Sequence, residues 1–263
     1  MPSPALDRLT LIACVHTALE NQPWAHTLWE GGSASFGRTD TWSDADLQAV
    51  VDDDHVPDAF AAVESALAKI APVDDRLIVP EPAWHGHSQR FYRFTGSPPW
   101  LLLDFCVMKL SAPYKFNDEL HGRPPVLFDR AGLFARPRPV DRLALETRLR
   151  DRLAQLTARL KFFGHFPDKE LRRGHLIDAL HWYQSIVLTA LVEMLRIKHD
   201  PLRHNWGNRY LHQTLPAADA ARLQRLMFVA DPAAIPSHCR EALAWLESLA
   251  AELAAMPSLA NPH

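Results

Sequence analysis

Two carboxylates one residue apart, Asp44 and Asp46, come shortly after a Gly31-Gly32-Ser33 turn, and a third acid, Asp104, interrupts an apolar run further along. On a strand, residues i and i+2 point to the same face, so Asp44 and Asp46 present their oxygens together. Like charges side by side repel unless a cation sits between them. Hard divalent ions such as Mg²⁺ take that arrangement, usually along with a substrate phosphate. The glycine turn lets the backbone approach a phosphate closely and offers N–H groups plus the Ser33 hydroxyl as donors. Arg38, further round the loop, is either a charge-assisted donor to a triphosphate or a solvated loop arginine. Asp104 stands in the run Trp100-Leu101-Leu102-Leu103-Asp104-Phe105-Cys106-Val107-Met108. A charge in a buried strand costs on the order of several kcal/mol unless it is paired or ligated.

These residues need a scaffold, and the apolar spacing supplies one. Leu6, Leu9, Ile12, Val15 and Leu19 repeat at helical intervals, which predicts an amphipathic helix over residues 4–21, ended by Pro23. Residues 26–30 form a first strand leading into the glycine turn, and residues 44–51 a second that begins with the paired acids. The run Asp52-Asp53-Asp54 reads as the solvated end of that strand. Phe60, Val63, Leu67 and Ile70 mark a helix over 56–70 with Pro57 in its first turn. Strands are predicted at 76–79, 89–94 and 100–108, with a Pro-His loop at 80–87 and a break at Ser97-Pro98-Pro99. Residues 109–140 are rich in Pro, Gly and Arg and read as a connection, with its seam at Arg136-Pro137-Arg138-Pro139. Beyond it the pattern turns helical over 141–163, 169–199, 217–229 and 236–255, with joins at Pro167, Pro201, Pro216 and Pro236. The fold class is α+β: a mixed sheet with flanking helices over 1–135, then a helical bundle over 136–263.

The order Gly32-Ser33, Arg38, then Ser43-Asp44-Ala45-Asp46-Leu47 resembles the signature of the DNA-polymerase-β-type nucleotidyltransferase superfamily. Within it, the segment from Leu28 to Val51 is most similar to the small-molecule branch that includes the aminoglycoside and lincosamide nucleotidyltransferases. The resemblance implies that the first domain is the catalytic nucleotidyltransferase domain. It implies transfer of a nucleoside monophosphate, AMP from ATP foremost, to a hydroxyl of a small acceptor, with release of pyrophosphate. Asp44, Asp46 and Asp104 are then the catalytic acids, holding two Mg²⁺ ions, while Gly32, Ser33 and Arg38 hold the triphosphate. The residues after Gly32-Ser33 open a short helix whose N-terminus adds a favourable dipole. Asp104 either holds the second metal or accepts the acceptor's proton. A helical-domain acid is the other choice of base: Glu146, Asp178 or Glu193, the last lying in the most apolar helix. A raised pKa would suit a base, whereas an ion-paired Glu193 would be an ordinary partnered acid. Oligomeric state stays open, with homodimers common in that branch.

Two other function classes compete. One is the same chemistry on a protein side chain or an RNA end, favoured by the arginines at 136, 138, 142, 148, 150 and 152. Asp141, Glu146 and Asp151 interleave them and break a continuous phosphate-binding stripe, which argues against nucleic acid. The other is a non-catalytic nucleotide-binding module, which has no need for three acids at one site. The polar segment 199–212, with His204, Asn205, Arg209, Tyr210 and His212, either lines a pocket or is a hydrogen-bonded interhelix loop.

Composition is that of a soluble globular protein, with 263 residues, 48% hydrophobic and 22% charged. The net charge of −3 divides unevenly: residues 1–110 hold 7 Lys/Arg against 15 Asp/Glu, and residues 111–263 hold 21 against 16. An acidic half and a basic half suit metal on one side and phosphate on the other, or two units that merely attract. Three scattered cysteines fit a reducing compartment, and no secretory signal or spanning segment is evident, so a cytoplasmic protein is expected. His85 and His87, and His175 with His181, lack companion zinc ligands at usual spacings. There is no GxxxxGK[ST] or GxSxG.

Overall fold

The computed structural model describes residues 6–81, 83–113, 115–135 and 138–261. Arg136 and Pro137, half of the seam read from the sequence, lie outside the described residues. The chain divides into two compact units, Met1–Pro139 and Val140–His263.

In the first unit, helix α1 (Arg8–Glu20) starts where Asp7 accepts the Thr10 N–H at 2.7 Å, capping an otherwise orphan donor. It buries Leu11, Ile12, Val15 and Leu19. Strand β1 (Ala25–Glu30) leads into the glycine turn and a three-residue 3₁₀ turn, Ala34–Phe36. That turn is far shorter than the helix expected there, so it contributes backbone N–H groups but no appreciable macrodipole, which builds over successive aligned peptides. Next come β2 (Ala45–Val51) and α2 (Val56–Ile70), the latter with Pro57 in its first turn and Val56, Ala59, Phe60, Val63 and Leu67 buried. β3 (Val73–Ile78), β4 (Ser88–Phe94) and β5 (Leu103–Lys109) follow, then a single-turn helix α3 (Asp118–His121) and β6 (Val126–Asp129).

The six strands run in the order β3-β4-β5-β2-β1-β6. β2 and β5 are parallel at the centre, and every other pairing is antiparallel. α1 and α2 cover one face, packing Leu11, Val15, Phe60 and Leu67 with Leu28, Leu47 and Phe105. The opposite face holds a smaller apolar cluster of Trp29, Val50, Cys106 and Met108, against which Leu133 and Phe134 pack. β5 begins at Leu103, not at residue 100, because the backbone is still turning after Pro98-Pro99. β3 begins at Val73, earlier than read. It is an exposed edge strand whose Asp74-Asp75 pair hides its strand character, and its register with β4 shifts there. β6 lies inside the stretch read as a plain connection. Only four residues long and preceded by two prolines, it is held by pairing with β1 and by Asp129, which accepts the Thr27 hydroxyl and the Leu133 and Phe134 N–H groups.

The second unit is all helical among its described residues: α4 (Arg142–Phe163), α5 (Phe166–Arg172), α6 (Leu176–Trp182), α7 (Thr189–His199), α8 (Leu211–Thr214), α9 (Ala217–Met227) and α10 (Ile235–Ala255). Its core joins Leu145, Leu149 and Leu153 of α4 to Leu191 and Leu195 of α7 and to Leu246 and Leu249 of α10. The single helix read over 169–199 is broken twice. Gly174, at φ +76, ends α5, and residues Tyr183–Leu188 widen into a π-helical turn. The α+β class, a mixed sheet with flanking helices followed by helices, is the observed architecture. Among the described residues, no helix is long and apolar enough to cross a membrane.

Candidate active site

Parallel pairing of β2 with β5 sets Asp46 directly opposite Asp104. Adjacent strands lie about 4.8 Å apart and side chains of paired residues share a face, so the two acids stand side by side. Both are half-buried, on the face away from α1 and α2. Gln48 and Cys106 form the next pair along the same face. Burial first, then the Asp104 charge, pushes the Cys106 thiol up to about 12, so it stays protonated.

The glycine turn closes over Asp46. Gly32 sits at φ +53, and a Cβ placed on it would stand 1.8 Å from Asp46 Oδ2, so only glycine brings the backbone this close to the carboxylate. Gly31 donates its N–H to the Asp46 carbonyl at 2.7 Å, and a Cβ there would meet the Gln48 amide at 2.5 Å. Ser33 is half-buried, and its carbonyl accepts the Phe36 and Arg38 N–H groups at 3.2 and 3.0 Å. The Arg38 guanidinium lies over the Phe36 ring, 5.2 Å from its centroid. A second segment braces the turn: Arg123 donates its N–H to the Ser35 carbonyl at 2.7 Å, and a Cβ on Gly122 would fall 2.4 Å from that same oxygen.

Asp44 stands one residue before β2. Its carbonyl accepts Arg8 Nε at 3.0 Å, and another Arg8 nitrogen is bonded to the Glu30 carboxylate. Arg8 therefore ties the residue before the glycine turn to the residue that opens the Asp-x-Asp sequence. Glu30 is 5% exposed. Burial raises its pKa, the Arg8 cation opposes that shift, and the Asp44 charge adds to it. Among the described residues, no group of three or more His, Cys, Asp and Glu side chains is gathered closely enough to hold a metal ion by itself. Two adjacent carboxylates are nonetheless a donor set that suits Mg²⁺, which keeps waters and substrate oxygens in its shell.

No protein-family model and no curated protein matches this chain. Among solved structures, an aminoglycoside 6-adenyltransferase from Bacillus subtilis aligns at 12% identity with a TM-score of 0.38, over 95% of this chain and 90% of that one. A likeness at this level identifies neither family nor substrate.

The helical-unit acids have other duties. Arg152 grips Glu193 through Nε and Nη2 at 2.7 and 2.8 Å, with His204 Nδ1 at 3.4 Å. Burial works against ionisation, yet these partners hold the Glu193 carboxyl down at about 2, so it is a partnered acid. Glu146 accepts the Ser258 hydroxyl and the Leu259 and Ala260 N–H groups, pinning the chain after α10. Asp178 is exposed in the first turn of α6. The polar segment 199–212 is an interhelix loop organised by Arg196, which is 1% exposed and donates to the Gly207 and Arg209 carbonyls. The residues that sequence reasoning missed are Arg8, Gln48, Gly122 and Gln89, whose side-chain amide donates to Asp104 Oδ1 at 2.6 Å. None has a local signal, because each acts on partners distant in the chain.

Proposed function

We propose that the protein is a metal-dependent nucleotidyltransferase that moves a nucleoside monophosphate, AMP from ATP foremost, onto a hydroxyl of a small-molecule acceptor. One observation carries the reading: Asp46 and Asp104 paired in register with Gly32 pressed against the Asp46 carboxylate. Two acids held together beneath a glycine turn, at the expense of mutual repulsion, suit a divalent cation and a phosphate chain. Asp46 and Asp104, with Asp44, would hold Mg²⁺, which supplies counter-charge to the triphosphate. The Gly31 N–H is taken by the Asp46 carbonyl, so Gly32, Ser33 and Arg38 are the residues assigned to the phosphates. The acceptor oxygen bonds to the α-phosphorus as the bond to the pyrophosphate oxygen breaks, and the hydroxyl proton is released to a base. Glu146 and Glu193, held ionised by their partners, are poor choices for that base.

Small acceptors are preferred over macromolecules because three of the six arginines that favoured RNA or protein, Arg142, Arg150 and Arg152, are engaged inside the helical unit. Arg142 donates to the Ala260 carbonyl, Arg150 to Glu146 and to the Leu253 and Met256 carbonyls, and Arg152 to Glu193. The test is incubation with Mg²⁺, labelled ATP and a panel of hydroxylated acceptors. Pyrophosphate release that requires a small acceptor is the expected result. Label appearing on protein or RNA moves the acceptor to a macromolecule, and ATP binding without turnover on any acceptor leaves only a binding module.

A further inference from the structure

Gln89, on β4 beside β5, donates its side-chain amide to Asp104 Oδ1 at 2.6 Å. The amide oxygen of Gln89 lies 3.0 Å from His85 Nε2. The other nitrogen of that ring, Nδ1, accepts the His87 backbone N–H at 3.1 Å. A nitrogen that accepts carries no proton, so the neutral imidazole has its hydrogen on Nε2 and donates it to Gln89 Oε1. With its oxygen engaged in this way, Gln89 must turn its NH₂ toward Asp104. The opposite flip would set an amide oxygen against a carboxylate and an NH₂ against an N–H. The relay from His87 N–H through His85 and Gln89 to Asp104 therefore has one donor direction throughout. Trp84 packs edge-on against the His85 ring, with centroids 5.2 Å apart, adding a further contact to the relay's outer end.

We propose that His85 and Gln89 are positioning residues for Asp104: through a hydrogen-bond relay of fixed direction they hold Oδ1 and so set the orientation in which the carboxylate meets a divalent cation. This inference rests on the reading of Asp104 as a cation-holding acid. Partners that orient a ligating side chain without touching the metal typically account for about 10–100-fold in metal affinity. The histidine pair at 85 and 87, which the sequence offered only as an incomplete zinc motif, has its place here as the outer end of a hydrogen-bond relay.

The experiment is a Mn²⁺ titration of the full chain, followed by electron paramagnetic resonance, with and without a non-hydrolysable ATP analogue. Gln89→Leu is expected to weaken Mn²⁺ binding about 10–100-fold while the thermal midpoint stays within a few degrees of wild type. His85→Ala weakens binding in the same direction, and His85→Gln, which restores an N–H at similar reach, recovers most of it. Unchanged Mn²⁺ affinity in Gln89→Leu, alongside its loss in Asp104→Asn, overturns the relay and leaves the site reading standing. Wild-type affinity in Asp104→Asn, or no Mn²⁺ binding by the wild type, removes the cation role of Asp104 and the relay with it. Should Gln89→Leu fail to fold, the His85 pair decides: equal affinity in His85→Ala and His85→Gln overturns the proposal.

Discussion

Gly32 is the residue at which a single atom has the clearest consequence. Its positive φ costs any other residue about 1–2 kcal/mol, and a new Cβ would clash with an Asp46 oxygen 1.8 Å away. Gly32→Ala is therefore expected to lower unfolding free energy by at least that amount in a denaturant titration and to reduce nucleotide turnover as Asp46 is displaced. Asp46→Asn and Asp104→Asn act in the opposite sense on stability. Each relieves like-charge repulsion, so without metal the fold stays intact or gains slightly, while turnover falls more than the roughly 100-fold that bounds an outer-shell loss. Wild-type pyrophosphate release in either variant would take that acid out of the site. The acids and glycines were legible in the sequence because their order carries meaning by itself. Gln89 was not, since a glutamine on a strand acquires a role only when the neighbouring strand sets a carboxylate within 2.6 Å.

At the scale of elements, α1 is tied to the site by Arg8. The Glu30 side chain is 7% exposed beside it, and breaking a buried pair from one side costs roughly 3–5 kcal/mol. Arg8→Met should show a loss of that order at neutral pH. Because burial already raises the Glu30 pKa, the folded chain takes up this proton more readily than the unfolded one, so the loss shrinks as pH falls. Arg8→Met combined with Glu30→Met should recover most of the stability; chemical denaturation from pH 5 to 8 checks both. The α4–α7 pair behaves oppositely. Glu193 is held down at about 2 by its partners, Arg152 foremost, so the unfolded chain binds the proton first. The stability it contributes, on the order of 3 kcal/mol, is present above about pH 4.5 and is lost as pH falls toward 2. Glu241, held low by Arg225 and Arg222, adds to this in the same sense. Glu193→Gln should flatten the acid limb of a helicity-against-pH curve. Helix positions were readable from apolar spacing, but the break at Gly174 and the π-helical turn were not, because continuous apolar spacing masks a local change of pitch.

For the whole molecule, charge asymmetry invites a nucleic-acid reading that the contacts disfavour. Arginines that donate to carbonyls and carboxylates of their own unit release few counterions from a phosphate backbone. Short RNA should therefore bind no tighter than the roughly 10⁻⁴–10⁻⁶ M of non-specific association at physiological salt, measured by fluorescence anisotropy. Nanomolar binding would reassign the acceptor. Local order, apolar periodicity and turn chemistry determined, from the sequence alone, the α+β class, the main helices and strands around the site, and the acids and glycines proposed for it. Those signals act over a few residues, so a single chain carries them in plain view. Only the tertiary structure decided that β2 and β5 run parallel with Asp46 opposite Asp104, that Arg8 joins Glu30 to Asp44, and that Glu193 is already paired. Strand register, and the pairing of charges far apart in the chain, emerge only when distant segments pack. No local pattern encodes which partner will be met.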